Sequence, residues 1–206
     1  MILEGQFSAD ERIPELGLCV KFGVSRTPLR EALKVLASEN LIELEHNRGA
    51  RLPVVSARQV ANLFEVLSGY EIVIGTLAAA RITEDRLKDI CALHEGMLTH
   101  FAAGRRTEYF ETNQSIHLSI AEATGNEELI NLYRSCLAKI IVARYSANLD
   151  RTRWIESRAE HEDILRALTR RDGPELSKRL REHAEAIARG TMEQLAESPS
   201  RRLASA

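Results

Sequence analysis

The chain has 206 residues, 44% hydrophobic and 28% charged, with 28 Lys and Arg set against 30 Asp and Glu for a formal net charge of −2. That is the make-up of an ordinary soluble protein of one or two domains with room for a sizeable core. Cys19, Cys91 and Cys136 are odd in number, far apart and set in apolar helical contexts, so they read as buried thiols of a reducing cytoplasm. No apolar run approaches the roughly 18–20 residues of a membrane span, and no charged-then-apolar leader opens the chain, so membrane and secreted classes are set aside.

In chain order, Ile13 to Phe22 is a short, mostly apolar run that stops at Gly23, the pattern of a first helix followed by a tight turn. The stretch Gly23 to Leu33, GVSRTPLREAL, opens with Ser25 or Thr27 as a cap and Pro28 in a first turn whose amides have no helical partner. Leu29, Leu33 and Leu36 recur at helical spacing, while Arg26, Arg30 and Lys34 follow every four residues on another face. An apolar back and a cationic front on one helix suit docking in a DNA groove, and the pair makes a helix-turn-helix. LIELE at 41–45, the polar tip HNRG and ARLPVV at 50–55 predict a β-hairpin wing. Residues 1–57 hold seven Lys and Arg against eight Asp and Glu, so the basic character is local, confined to Arg26, Arg30, Lys34, Arg48 and Arg51 with His46.

GVSRTPLREAL, then LASENLIELE, then NRGARL resembles the N-terminal DNA-binding domain of GntR-family bacterial transcription regulators, over about residues 13–55. The resemblance implies a winged helix-turn-helix at 1–55. Family members carry a full helix before the segment matching ILEGQFSADERI, so the first helix is expected to be truncated here or to lie upstream. The resemblance further implies that Arg26, Thr27 and Arg30 contact operator phosphates and bases and that the wing around Gly49 lies against the minor groove. Ser25, Lys34, His46 and Arg48 complete the expected DNA-binding set. Leu16 is apolar where a polar, DNA-facing residue is expected.

Beyond a short linker, Ser56 and Gln59 are spaced as a capping box, and the chain then reads as helix after helix to about 197. The expected spans are 57–80, which Gly69 and Gly75 could divide, then 83–103, 107–123, 127–148, 152–171 and 172–197. Six or seven amphipathic helices imply an antiparallel bundle at 58–197, with 198–206 as a frayed tail.

Asn113 and His117 are four apart and share a helix face; His161 is in phase with Leu165 and Leu168, and His183 with Leu176, Leu180 and Ile187. Three imidazoles on three inner faces are costly to bury without partners, and one divalent metal can satisfy them together. The pattern N-x3-H, then EH-x2-IL, then REH is similar to the FCD effector domain that fatty-acid-regulator-type GntR proteins carry, over about residues 58–195. That resemblance implies a divalent transition metal (zinc, nickel or manganese) on Asn113, His117, His161 and His183, with open positions for water or an effector carboxylate. Asn in place of the more usual Asp removes one negative charge, which weakens the site and makes it more receptive to an anion. His94 and His100 do not fit the pattern and read as structural or exposed.

An acid on the metal wants a cationic partner. Arg144, in phase with Cys136 and Ile140, is the candidate effector-binding residue; Arg81 and Arg134 are poorer ones. Relatives often carry an Arg where Leu67 stands. The reading is a homodimeric, cytoplasmic regulator on a palindromic double-stranded DNA operator, its binding modulated by a small carboxylate. The alternative is a metal-dependent enzyme using the three histidines to activate water, for which Glu122 and Glu160 are the nearest carboxylates but are out of phase with the ligands. A metal-free helical interaction module, with the histidines as polar core residues, is the third possibility.

Overall fold

A computed structural model describes residues 6, 7, 10–39, 41–45, 48–147 and 151–197, and the side chains at 144–147, 151–154 and 197 stand outside that set. His46 and the tail 198–206 therefore lie outside the described residues.

Helix α1 (Glu15–Phe22) starts after Pro14 and ends at Gly23, whose φ of 65° is the left-handed conformation glycine adopts freely. The chain turns there into α2 (Arg26–Ser38). Ser25 is its N-cap in extended conformation, but its side chain makes no capping hydrogen bond, and Pro28 lies in the first turn. Leu18 of α1 and Leu29 and Leu33 of α2 pack with Phe7, Ile13, Ile42, Ala50 and Leu52 into a small core.

The wing strands β1 (Glu43–Glu45) and β2 (Gly49–Arg51) pair antiparallel, Leu44 opposite Ala50. They are shorter than expected because Leu41 and Ile42 are drawn into the core and Pro53 has no amide hydrogen to extend the ladder. The segment before α1 adds to β2: the Ile13 N–H donates to Ala50 O at 2.8 Å and the Leu52 N–H to Glu11 O at 3.1 Å. Leu16 is 63% exposed and Val20 85%.

Six helices follow. Ser56 closes a capping box with Gln59 at the start of α3 (Ala57–Arg81), which runs unbroken through Gly69 and Gly75. This corrects two expectations, the possible division and the absence of any long apolar run. An 18-residue window of α3 reaches a mean hydropathy of 1.5, enough by length and composition to cross a membrane. Here Val60, Phe64, Leu67, Ile74 and Ala78 spend that hydropathy on the protein's own core.

Thr83 caps α4 (Glu84–Ala102), and Gly104 at φ 68° follows its end. Next are α5 (Arg106–Glu122) and, capped by Asn126 on the Leu129 amide, α6 (Glu127–Ala147). Then come α7 (Arg151–Thr169) and α8 (Gly173–Glu197), the latter opened by Asp172 accepting from the Glu175 amide at 3.0 Å. Helix α3 lies along α8, α7 packs on α8, α4 pairs with α5 and touches α7, and α6 rests on α3. Residues of all six helices share one large core.

Helix α3 meets α8 closely at Gly75, where a Cβ would stand 2.5 Å from the Ser177 backbone. Ser177 Oγ donates to Ile72 O at 2.8 Å across the same junction. In an open helix interior, Gly→Ala gains roughly 1 kcal/mol. Gly75→Ala should instead lower stability by about 1–3 kcal/mol, because α8 must move away. A thermal melt at or above the wild-type midpoint would contradict this.

The cysteines are free. Only Cys136 is fully buried; Cys19 and Cys91 are half-buried, contrary to expectation. Burial pushes the Cys136 thiol up to about 11.

Candidate metal centre and nucleic-acid interface

His117 of α5, His161 of α7 and His183 of α8 meet in the middle of the helical core, at 5%, 0% and 2% exposure. Each offers a ring nitrogen within 4.8 Å of the others'. The ring centroids stand 5.0 Å apart for 117–161, 5.0 Å for 117–183 and 4.8 Å for 161–183. The convergence follows from helical phase: each histidine continues an apolar stripe, Ile116 and Ile120 on α5, Ile164 and Leu168 on α7, Leu180 and Ile187 on α8. Asn113 is buried one turn before His117. Three imidazoles walled from water, with a buried amide side chain one turn from His117, suit a borderline divalent transition ion.

Two carboxylates flank the triad that the helical pattern did not single out. Glu160, expected to be out of phase with the ligands, reaches His183: its Oε2 stands 2.5 Å from His183 Nδ1. Glu71 of α3 is 2% exposed; its Oε1 accepts the Tyr133 hydroxyl at 2.6 Å and lies 4.0 Å from His117 Nδ1. Burial pushes the Glu71 carboxyl up to about 8, against the downward pull of the Tyr133 hydrogen bond. His94 is structural rather than exposed, one of the two roles expected of it. It is buried, its ring lies 6.4 Å from that of His161 and nearly parallel to it, and burial lowers its pKa. Glu122 is turned outward to Arg86 and Arg134. Arg81 donates to Thr124 O, and the Arg144 side chain lies outside the described residues.

Glu71 gives the metal-free protein a pH signature. Folding raises its pKa from 4.5 to about 8, so across that window the folded state binds the extra proton and stability falls as pH rises. Glu71→Gln keeps an acceptor for Tyr133 and removes the titration. In chelator, the loss of melting temperature between pH 5.5 and 8 should be smaller in the variant than in the wild type, and equal losses would count against a buried, protonated Glu71.

On the small unit, Ser25, Arg26, Thr27, Arg30 and Lys34 are exposed along the start and outer face of α2, and Arg48 is exposed in the wing. Gly49 has a φ of 84°. Glu15 of α1 lies between helix and wing: its Oε2 pairs with Arg30 Nε at 3.1 Å, and its Oε1 is 3.2 Å from where a Gly49 Cβ would be. Lys34 pairs with Glu31. Arg51, expected in the cationic cluster, is instead neutralised by Asp10, Glu43 and Glu45.

Two family models match. The FCD domain covers residues 62–186, and the "Bacterial regulatory proteins, gntR family" model covers residues 1–52. The chain belongs to the FCD branch of the GntR family. It is a transcriptional regulator of that type, mostly helical, with a two-stranded wing.

Among relatives of this GntR regulator, the Nta operon transcriptional regulator of Aminobacter aminovorans is 30% identical over 167 residues, which is 80% of this chain and 75% of that protein. The Uxu operon regulator of Haemophilus influenzae is 27% identical over 90% of this chain and 76% of that one. Of solved structures, E. coli McbR/YncC superposes with a TM-score of 0.86 at 19% identity, covering 94% of this chain and 92% of that one. The metal-free FCD domain of TM0439 gives a TM-score of 0.60 at 18% identity over 70% of this chain and 99% of that one. At these identities the structures speak for the fold.

Proposed function

We propose that this FCD regulator binds a palindromic double-stranded DNA operator as a homodimer in the cytoplasm, and that a small carboxylate bound at a metal centre modulates that binding. The observation that carries the proposal is the convergence of three buried imidazoles inside the helical unit of a chain that also presents a cationic helix and wing.

Asn113, His117, His161 and His183 would hold the ion, a divalent zinc, nickel or manganese. When bound, such an ion supplies open positions that accept an anionic oxygen. Arg144 is the candidate partner for the effector's charge. Ser25, Arg26, Thr27, Arg30 and Lys34 of α2, with His46, Arg48 and Gly49 of the wing, form the DNA-reading set. The domain organisation that serves this function is a winged helix-turn-helix at 1–55, an effector and dimerisation unit at 58–197 and a tail at 198–206. The exposed apolar residues Val66, Ile72 and Val73 of α3 offer a face for a second copy.

Coupling is linkage: a ligand that prefers one packing of α5, α7 and α8 shifts the population of that packing, and with it the placement of two DNA-binding units. Nta and Uxu operon regulators among the relatives support control of an operon. The enzyme reading has no comparable support, since Glu160 is engaged with His183 and Glu122 faces away from the triad.

The test has two parts. Elemental analysis of the purified chain should find close to one equivalent of transition metal, and operator gel shift of the loaded protein should respond to at least one acid in a panel of small carboxylates. Metal below about a tenth of an equivalent, with melting unchanged by chelator, favours the metal-free module instead.

A further inference from the structure

The geometry points to Glu160 as a positioning residue for the metal centre: its carboxylate holds the proton of His183 on Nδ1 and so commits Nε2 to the ion. This inference rests on the three-histidine site proposed above.

Glu160 is on α7 immediately before His161, so adjacent residues of one helix serve two functions: His161 points into the centre and Glu160 reaches across to α8. The contact joins Glu160 Oε2 and His183 Nδ1 at 2.5 Å. The His183 side chain is 2% exposed and that of Glu160 29%, so the bond has its imidazole end in the core and its carboxylate end near water. A carboxylate oxygen accepts, so the proton is on Nδ1. A neutral imidazole protonated at Nδ1 keeps its lone pair on Nε2, and that lone pair is the donor a transition ion takes.

The same bond fixes the ring's rotation about its side-chain torsions, which an imidazole on an apolar stripe would otherwise be freer to change. It also places one negative charge just outside the ligand shell, where it makes the imidazole a better donor. This matters here because Asn113 brings no charge of its own. The other flanking carboxylate cannot substitute: Glu71 is 4.0 Å from His117 Nδ1, beyond hydrogen-bond reach, and its Oε1 is engaged by Tyr133. The two carboxylates approach different histidines, Glu160 at His183 and Glu71 at His117.

The test compares the full-length chain with Glu160→Ala and Glu160→Gln, using zinc itself as the probe in competition with a chromophoric chelator. Glu160→Ala should weaken zinc binding roughly 10–100-fold, the usual cost of losing an outer-shell partner. Glu160→Gln, which retains an acceptor but no charge, should fall between alanine and wild type. Melting of the metal-free proteins should stay within a degree or two of each other, which separates positioning from general stability.

A direct readout comes from long-range ¹H–¹⁵N spectra of the metal-free protein. His183 should be the Nδ1–H tautomer in wild type and shift towards Nε2–H in Glu160→Ala. Equal zinc affinity in all three proteins, or an unchanged tautomer in Glu160→Ala, overturns the positioning role while leaving the site intact. A wild type that takes up no zinc overturns both the role and the site, so the two failures are distinct.

Discussion

Removing the His161 imidazole should empty the metal centre. His161 is the most buried of the three histidines, at 0% exposure, and its ring centroid stands 5.0 Å from that of His117 and 4.8 Å from that of His183. His161→Ala leaves two histidines and an amide, too few donors to compete with chelators. Metal content should fall from about one equivalent to below roughly a tenth, against the 10–100-fold weakening expected from outer-shell changes. A site filled at a hundred times its dissociation constant adds roughly 2.7 kcal/mol to stability. In a protein of this size that corresponds to about 5–11 °C of melting temperature. The chelator-sensitive part of the wild-type melt should therefore be missing in His161→Ala. His94→Ala is the matching control: its ring centroid is 6.4 Å from that of His161 and it is not among the three converging histidines, so the metal should stay. One equivalent retained by His161→Ala would sink the centre as drawn.

The second large effect is expected at Arg30. Its side chain is 62% exposed and its Nε is held by Glu15 at 3.1 Å; the two terminal nitrogens are the pair that a guanine edge would engage. If these read a guanine edge, Arg30→Ala costs about 1–3 kcal/mol of discrimination, roughly 5–150-fold in operator affinity. Lysine should not rescue it, because a single ammonium cannot make the paired contact. Lys34→Ala should behave differently, weakening operator and random DNA alike and lowering the salt slope by about one, as a phosphate contact does. Titration by fluorescence anisotropy at two salt concentrations separates these outcomes. Operator affinity within twofold of wild type for Arg30→Ala is the result that rejects α2 as the reading helix.

Both predictions draw on residues the sequence already singled out, and in each case the structure supplied the neighbour. The repeat of apolar residues at three and four was enough to place His117, His161 and His183 on inner faces, because phase along a single helix is a local property. It was enough, together with residue type, for the capping box at Ser56 and Gln59. It could not say that Glu160 meets His183. That contact depends on the distance and angle between α7 and α8, which side-chain packing along the whole interface decides. Glu160 looked idle because phase was judged against its own helix, whereas a long side chain at the edge of a stripe can reach the next one.

The charge pattern was misleading for a related reason. Arg51 counts as a cation in sequence, but strand pairing brings Glu43 opposite it, and the fold adds Asp10 and Glu45, so its charge is spent inside the wing. Glu15 had no signal of its own until α1 placed it between Arg30 and the wing. In α3, two glycines suggested a break and a long hydropathic window suggested nothing. The packed helix is continuous, and at Gly75 the missing side chain leaves the volume into which α8 packs.

What the amino-acid order determined alone was the set of helices, their buried stripes and the winged reading head, all properties carried by neighbours a few residues apart. What required the tertiary structure was which polar groups share an environment: the His183–Glu160 bond, the buried Glu71–Tyr133 pair and the hold of Glu15 on Arg30. Those join residues 15 to 62 positions apart, and a contact at such separation exists only once the core has fixed how the helices cross.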